Sequence, residues 1–185
     1  MRALLAQQGG NAALQTLVEL GLQHEQQHQE LLLTDVLHLL SCNPTAPAYR
    51  NAPPAAKALA APPALGWVEC AGGLVDVGHA GAGFCFDNEL PRHTSYLAPY
   101  ALGERLVNQG EFAAFVADGG YARPELWLAE GWDWLAAQHI AHPLYWRAAE
   151  EGGWNRFGLH GEQPLMPHAP VAHLSYVEAD AYARW

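Results

Sequence analysis

Six prolines fall between Asn43 and Gly66, at positions 44, 47, 53, 54, 62 and 63, among many alanines. Proline fixes φ and lacks an N–H, so this density excludes a regular helix or an interior strand. It predicts a linker with extended, polyproline-like stretches, and a domain boundary at residues 43–66. The segments on either side have different periods. From Asn11 to Leu40, apolar residues recur at helical spacing (Leu14, Leu17, Val18, then Leu31, Leu32, Val36, Leu39, Leu40). Gly9-Gly10 stands before this run, Ser41-Cys42-Asn43-Pro44 ends it, and Gly21 inside it is a point where the helix is expected to loosen or break. One long helix cannot bury its own apolar stripe, so it needs partner helices, and the reading is of a segment that starts late.

Beyond Gly66 the pattern is mixed and rich in glycine and aromatics. Gly73–Gly78 alternates like a strand, Tyr100–Val107 reads as another, and Pro170–Leu174 as a third. Leu144–Ala149 and Trp154–His160 flank Glu150-Glu151-Gly152-Gly153 and predict a hairpin. Asn108 with Glu111, and Ser175 with Glu178, are capping boxes that open two helices. The first is expected to stop at Gly119-Gly120, and the second runs to Trp185 without a stop signal, so the sequence reads as cut at both ends.

Composition narrows the function classes. Nine Lys+Arg against nineteen Asp+Glu give a formal charge of -10, which disfavours nucleic acid and anionic membrane as partners. No apolar run is long enough to span a bilayer, and residues 1–10 lack the apolar core of a signal peptide. Cys42, Cys70 and Cys85 are odd in number and without knuckle spacing, which fits a reducing cytosol. Each is read as a small buried apolar residue.

The stretch with most chemical content is His24-Glu25-Gln26-Gln27-His28. Residues four apart on a helix are neighbours, so His24 and His28 are placed to share one ion, and imidazole suits zinc, iron, copper and nickel. Two solvated surface histidines are the bland alternative. The same five residues match HExxH, with Glu25 as the base of a zinc protease. That reading needs a third ligand. Leu31 and Thr34 stand where one continuation wants Gly and His, and no Glu occurs between Leu31 and Val68. His38 is ten residues past His28, about 15 Å along a helix, too far to share the ion.

The longer string from His24 to Asp35 resembles the iron-binding helix of the ergothioneine sulfoxide synthases. Those enzymes join a DinB-like helical bundle to a domain like formylglycine-generating enzyme, a C-type-lectin-like α+β fold. The second half is similar to that domain in Phe86-Asp87-Asn88-Glu89 with Pro91 and His93, in Asp118-Gly119-Gly120-Tyr121, and in Arg123-Pro124-Glu125-Leu126-Trp127-Leu128. Gly131-Trp132, Pro143-Leu144-Tyr145-Trp146, Pro170-Val171, Ser175-Tyr176 and Glu178-Ala179-Asp180-Ala181 continue the likeness.

The resemblance implies an α+β chain: residues 1–42 as a remnant of the DinB-like bundle, 43–66 as linker, and 67–185 as the N-terminal part of an incomplete formylglycine-generating-enzyme-like domain. It implies Fe(II) as cofactor, with His24 and His28 as two of three histidine ligands and Gln27 near the substrate imidazole. The implied reaction joins the thiol of cysteine or γ-glutamylcysteine to the imidazole C2 of Nα-trimethylhistidine (hercynine), using O2, and oxidises the sulfur to a sulfoxide. The family's first histidine ligand and its carboxylate-binding arginines lie upstream, and its catalytic tyrosine lies beyond Trp185. No catalytic residue is therefore assigned, and the chain alone is expected to be inactive. A selenoneine-forming relative and a non-catalytic lectin-like module are the alternatives. Trp127, Trp132, Trp134, Trp146 and Trp154 are read as packing, and His79, His93, His139, His142, His160, His168 and His173 show no ligand spacing.

Overall fold

The computed structural model describes residues 2–8, 10–51 and 60–185. A third of the expected linker, residues 52–59, lies outside the described residues. Two compact units divide the chain, one of Met1–Val36 with Trp67–Leu102 and one of Leu37–Gly66 with Gly103–Trp185.

In the first unit, α1 (Arg2–Gln8) precedes α2 (Ala12–Ser41), whose residues from Leu37 onward belong to the second unit. Asn11 caps α2, its Oδ1 accepting from the Leu14 N–H at 3.2 Å. Gly21 does not break the helix. A Cβ there would meet nothing within 4 Å, so the glycine costs only its propensity, about 1 kcal/mol against alanine, which thirty residues of helix tolerate. The leucine stripe is open: Leu31 and Leu32 are 56% and 62% exposed.

The same unit holds β1 (Trp67–Cys70), β2 (Gly73–Val77), β3 (His93–Leu97) and β4 (Tyr100–Gly103), of which only Gly103 belongs to the second unit. β1 pairs with β4, and β2 pairs antiparallel with β3 from Gly73↔Leu97 to Val77↔His93. β4 stops at Gly103, short of the expected Val107. There the Glu104 N–H donates to the Gly66 carbonyl and the Arg105 guanidinium turns to Glu111, so the backbone leaves the extended path before α3 (Gln109–Ala117).

The second unit is built on aromatic packing. It contains α3, α4 (Ala129–Gln138), the meander β5 (Trp146–Ala148), β6 (Trp154–Gly158) and β7 (Gly161–Pro164), and α5 (Tyr176–Arg184). Phe112 and Phe115 from α3 are fully buried with Tyr121, Leu126, Trp127, Leu135, Trp146 and Ala181. Gly120 is required beside them, because a Cβ there would collide with the Phe115 ring. The Tyr121 hydroxyl donates to Glu178 Oε1 at 2.5 Å, and Glu178 Oε2 accepts from the Ser175 N–H at 2.7 Å. One buried carboxylate thus caps α5 and ties it to the 120–122 turn.

Both capping boxes are present, and the 146–158 hairpin forms as expected. Pro170–Leu174 is not a strand. Pro170 has no N–H to donate, only an isolated bridge to Asn108 forms, and His173 at φ 61° turns the chain out of extension. β7, with the sequence Gly-Glu-Gln-Pro, carries no apolar alternation and is held by its register with β6.

Glu111 accepts from Arg105 Nη2 at 2.6 Å and Nη1 at 2.9 Å, and from the Asn108 N–H at 2.9 Å. The Arg105 hydrogen bonds chiefly hold its carboxyl below the usual carboxylate range. A depressed folded value adds stability above the unfolded pKa, and that stability is lost as pH falls through the folded value. Wild type is therefore expected to exceed Glu111→Gln in urea resistance at neutral pH, with the gap closing below about pH 4. A gap that does not shrink as pH falls below about 4 would contradict this role.

Candidate metal and substrate site

Glutamine, glutamate and leucine, all good helix formers, make up most of residues 22–33, so this part of α2 is helical by propensity as well as by pattern. The helix brings His24 and His28 together, with ring centroids 4.5 Å apart and planes at 80°. Both side chains are exposed, as is Gln27, so their polar atoms are open to a ligand. Neutral imidazoles at this separation fit the donor set of a divalent borderline metal. Among the described residues, no group of three or more His, Cys, Asp or Glu side chains is placed to hold an ion. Two imidazoles are fewer than the three protein ligands that a catalytic metal centre ordinarily has.

A groove of about 800 Å³ lies beside the preceding turns of the same helix, lined by Thr16, Glu19 and Leu20 and by Ala82–Asp87. Phe84 and Phe86 meet edge to face within this loop, at 4.9 Å. At about 100° per residue, Gln27 projects between Thr16 and Leu20 on the groove side of α2, with His24 about 40° and His28 about 80° past Leu20. Sequence reading did not find this groove. Its only signal was the Phe86–Glu89 string, which carries no periodicity toward α2.

Four of the remaining histidines are engaged with backbone carbonyls. His79 donates to the Gly81 carbonyl, His93 to Pro91, His142 to Pro143 and His160 to Arg50, at 2.9–3.2 Å. His139 takes positive φ at the end of α4. His38 approaches Tyr145, not His28. Trp127 and Trp146 are buried, and Trp132 and Trp154 pack on the core as expected, but Trp134 is 37% exposed. Cys42 is exposed, which corrects the expectation of a buried thiol, and Cys70 and Cys85 are half-buried.

A mixed fold of short strands and capped helices, preceded by a helix with a metal-spaced histidine pair, defines an α+β protein with a candidate metal centre. Residues 54–185 match the sulfatase-modifying factor enzyme 1-like domain, and the chain belongs to that family. It is 32% identical to the hercynine oxygenase of Mycolicibacterium thermoresistibile over 162 residues, 88% of this chain and 35% of that protein. Against the hercynine oxygenase of Mycobacterium tuberculosis it is 34% identical over 99 residues, 54% of this chain and 23% of the relative. The formylglycine-generating enzyme of Streptomyces coelicolor is 32% identical over 135 residues, 65% of this chain and 42% of that enzyme. The chain thus spans about a third or less of the hercynine oxygenases it matches.

Proposed function

We propose that this chain supplies part of an Fe(II)- and O2-dependent sulfoxide synthase of ergothioneine biosynthesis, acting on hercynine and on cysteine or γ-glutamylcysteine. The observation that carries the reading is the His24–His28 ring pair, in a chain aligned over 88% of its length with a hercynine oxygenase. In this reading residues 1–42 belong to a DinB-like bundle, 43–66 form a linker, and 67–185 belong to the formylglycine-generating-enzyme-like domain. The protein works in the cytosol. Among the described residues, no helix is long and apolar enough to cross a membrane.

His24 and His28 would hold the iron through imidazole lone pairs, leaving its positive charge undiminished. Bound iron supplies the activation of O2 that carbon–sulfur bond formation and sulfur oxidation require. Gln27 offers an amide that can donate to or accept from a neutral imidazole without adding charge, so it orients hercynine and leaves the ring's protonation untouched. The groove beside Thr16, Glu19 and Leu20 provides a concave surface on that side of the helix.

Co(II), a spectroscopic stand-in for Fe(II), tests this reading on the chain as it exists. Hercynine is expected to perturb the visible spectrum of the Co(II)-loaded protein. Gln27→Ala is expected to weaken that response about 3- to 10-fold, the value of one hydrogen bond. A spectrum indifferent to hercynine, with Co(II) bound, would overturn the substrate assignment while leaving the metal pair standing.

A further inference from the structure

At the end of α2 three side chains line up in an order that the proposed reaction does not use. Cys42 Sγ lies 3.9 Å from His38 Nε2, and His38 Nδ1 lies 3.3 Å from the Tyr145 hydroxyl. The first contact follows from i,i+4 helix spacing. The second links residues 107 apart in sequence. Tyr145 is buried, and His173 meets its ring edge to face at 4.8 Å. Arg147 Nη2 donates to the Ser41 carbonyl at 2.8 Å, so a cation stands beside the residue that precedes Cys42. Glu162 shares that guanidinium, 3.1 Å from Nη1.

The charge states of the supporting groups fit one proton arrangement. Burial first, and the neighbouring Cys42 second, hold the Tyr145 phenol above its ordinary range, so it stays neutral. Burial, then the Arg156 charge, hold His173 below its ordinary range, so it too is neutral near pH 7. When His38 Nδ1–H donates to the Tyr145 oxygen, the Nε2 lone pair is left facing the thiol. A nucleophile, a base and a group that orients the base are the parts an activated thiol needs. The other two cysteines are placed differently. The Cys70 thiol contacts the Val68 carbonyl, and Cys85 lines the groove beside α2.

We propose that Cys42 is a thiol–disulfide exchange site for small soluble disulfides, with His38 as its base and Tyr145 as the residue that positions His38. Nε2 of His38 takes the thiol proton, and the Cys42 sulfur attacks one sulfur of RS–SR. The new Cys42–S–S–R bond forms as the RS–SR bond breaks. The leaving RS⁻ takes the proton from His38 and departs as RSH. Cys42 is oxidised to the mixed disulfide and the leaving sulfur is reduced.

The test incubates the full chain with glutathione disulfide, and in parallel with the uncharged bis(2-hydroxyethyl) disulfide, and follows the adduct at each cysteine by mass spectrometry. Cys42 is expected to react first with both probes. His38→Gln should slow it at least ~10-fold, less than the ~10²–10⁴-fold a general base usually contributes because a thiol is partly ionised without one. Tyr145→Phe should slow it less, and added imidazole should restore part of the rate in His38→Ala, a rescue that a merely structural loss would not show. Folded wild-type Cys42 should also outpace Cys42 in the urea-unfolded chain, a comparison that needs no variant. An unchanged rate in His38→Gln, equal labelling of the three cysteines, no imidazole rescue, or a faster unfolded chain would each overturn the proposal.

Discussion

Replacing Phe112 by alanine is expected to destabilise the second unit by about 3–5 kcal/mol, the usual cost of emptying a phenylalanine site in a packed core. Phe112 is 0% exposed and packs against rings from α5, from β5 and from its own helix. Its ring stacks on Tyr182 of α5 at 5.3 Å and 19°, and meets Phe115 on α3 at 5.3 Å and Trp146 on β5 at 6.1 Å. Aromatic pairs of this kind add about 0.5–1.5 kcal/mol each beyond buried area, so the loss should fall toward the top of the range. The surrounding rings are large and interlocked, which limits collapse into the cavity. Leu17→Ala on α2 is the matched control: Leu17 is 66% exposed, and its truncation should change stability by no more than about 0.5 kcal/mol. Urea denaturation followed by tryptophan fluorescence reads both. A Phe112→Ala loss below about 1 kcal/mol would show that the unit is not organised around this ring.

Local signals in the sequence were read well where side chain and backbone act within a few residues. Asn108 with Glu111 and Ser175 with Glu178 each satisfy their own helix N-terminus, so a four-residue window contains the whole interaction. The turn at residues 150–153 is likewise local. What was missed depends on residues far apart. β7 is polar and exists because β6 offers it a ladder. α4 begins after Leu128, which offers no capping side chain, and is fixed by burial of Gly131 and Leu135, with Gly131 close against Val177. The expected strand at Pro170–Leu174 does not form because proline's missing N–H and the turn at His173 outweigh its apolar composition.

The candidate site divides in the same way. His24, Gln27 and His28 lie within five residues of one helix, so their spacing alone predicted the ring approach. The groove beside Thr16 and Leu20 needs the loop at residues 82–87, more than sixty positions away, and periodicity on α2 cannot reveal it. The Cys42–His38–Tyr145 alignment shows both cases. Cys42 and His38 are four apart and could be read together, whereas Tyr145 is brought in by the packing of Leu37, Tyr145 and Phe157.

The proposed function rests on His24 and His28 as a metal site, and Co(II) titration of wild type against His24→Ala and His28→Ala tests that proposal most directly. The two rings are exposed, so either truncation should leave the helix and both units intact. Removing one imidazole leaves a single protein ligand, and the ion loses the chelate that a shared helix face provides. Losing an outer-sphere partner alone typically weakens a metal site about 10–100-fold, so loss of a direct ligand should cost at least that much. His93→Ala is the control, because its ring is engaged with the Pro91 carbonyl at 2.9 Å. The expected result is one Co(II) per wild-type chain, affinity lowered about 10-fold or more in both variants, and no change in His93→Ala. Equal affinities for wild type, His24→Ala and His28→Ala would contradict the metal site, and the sulfoxide synthase reading would fall with it.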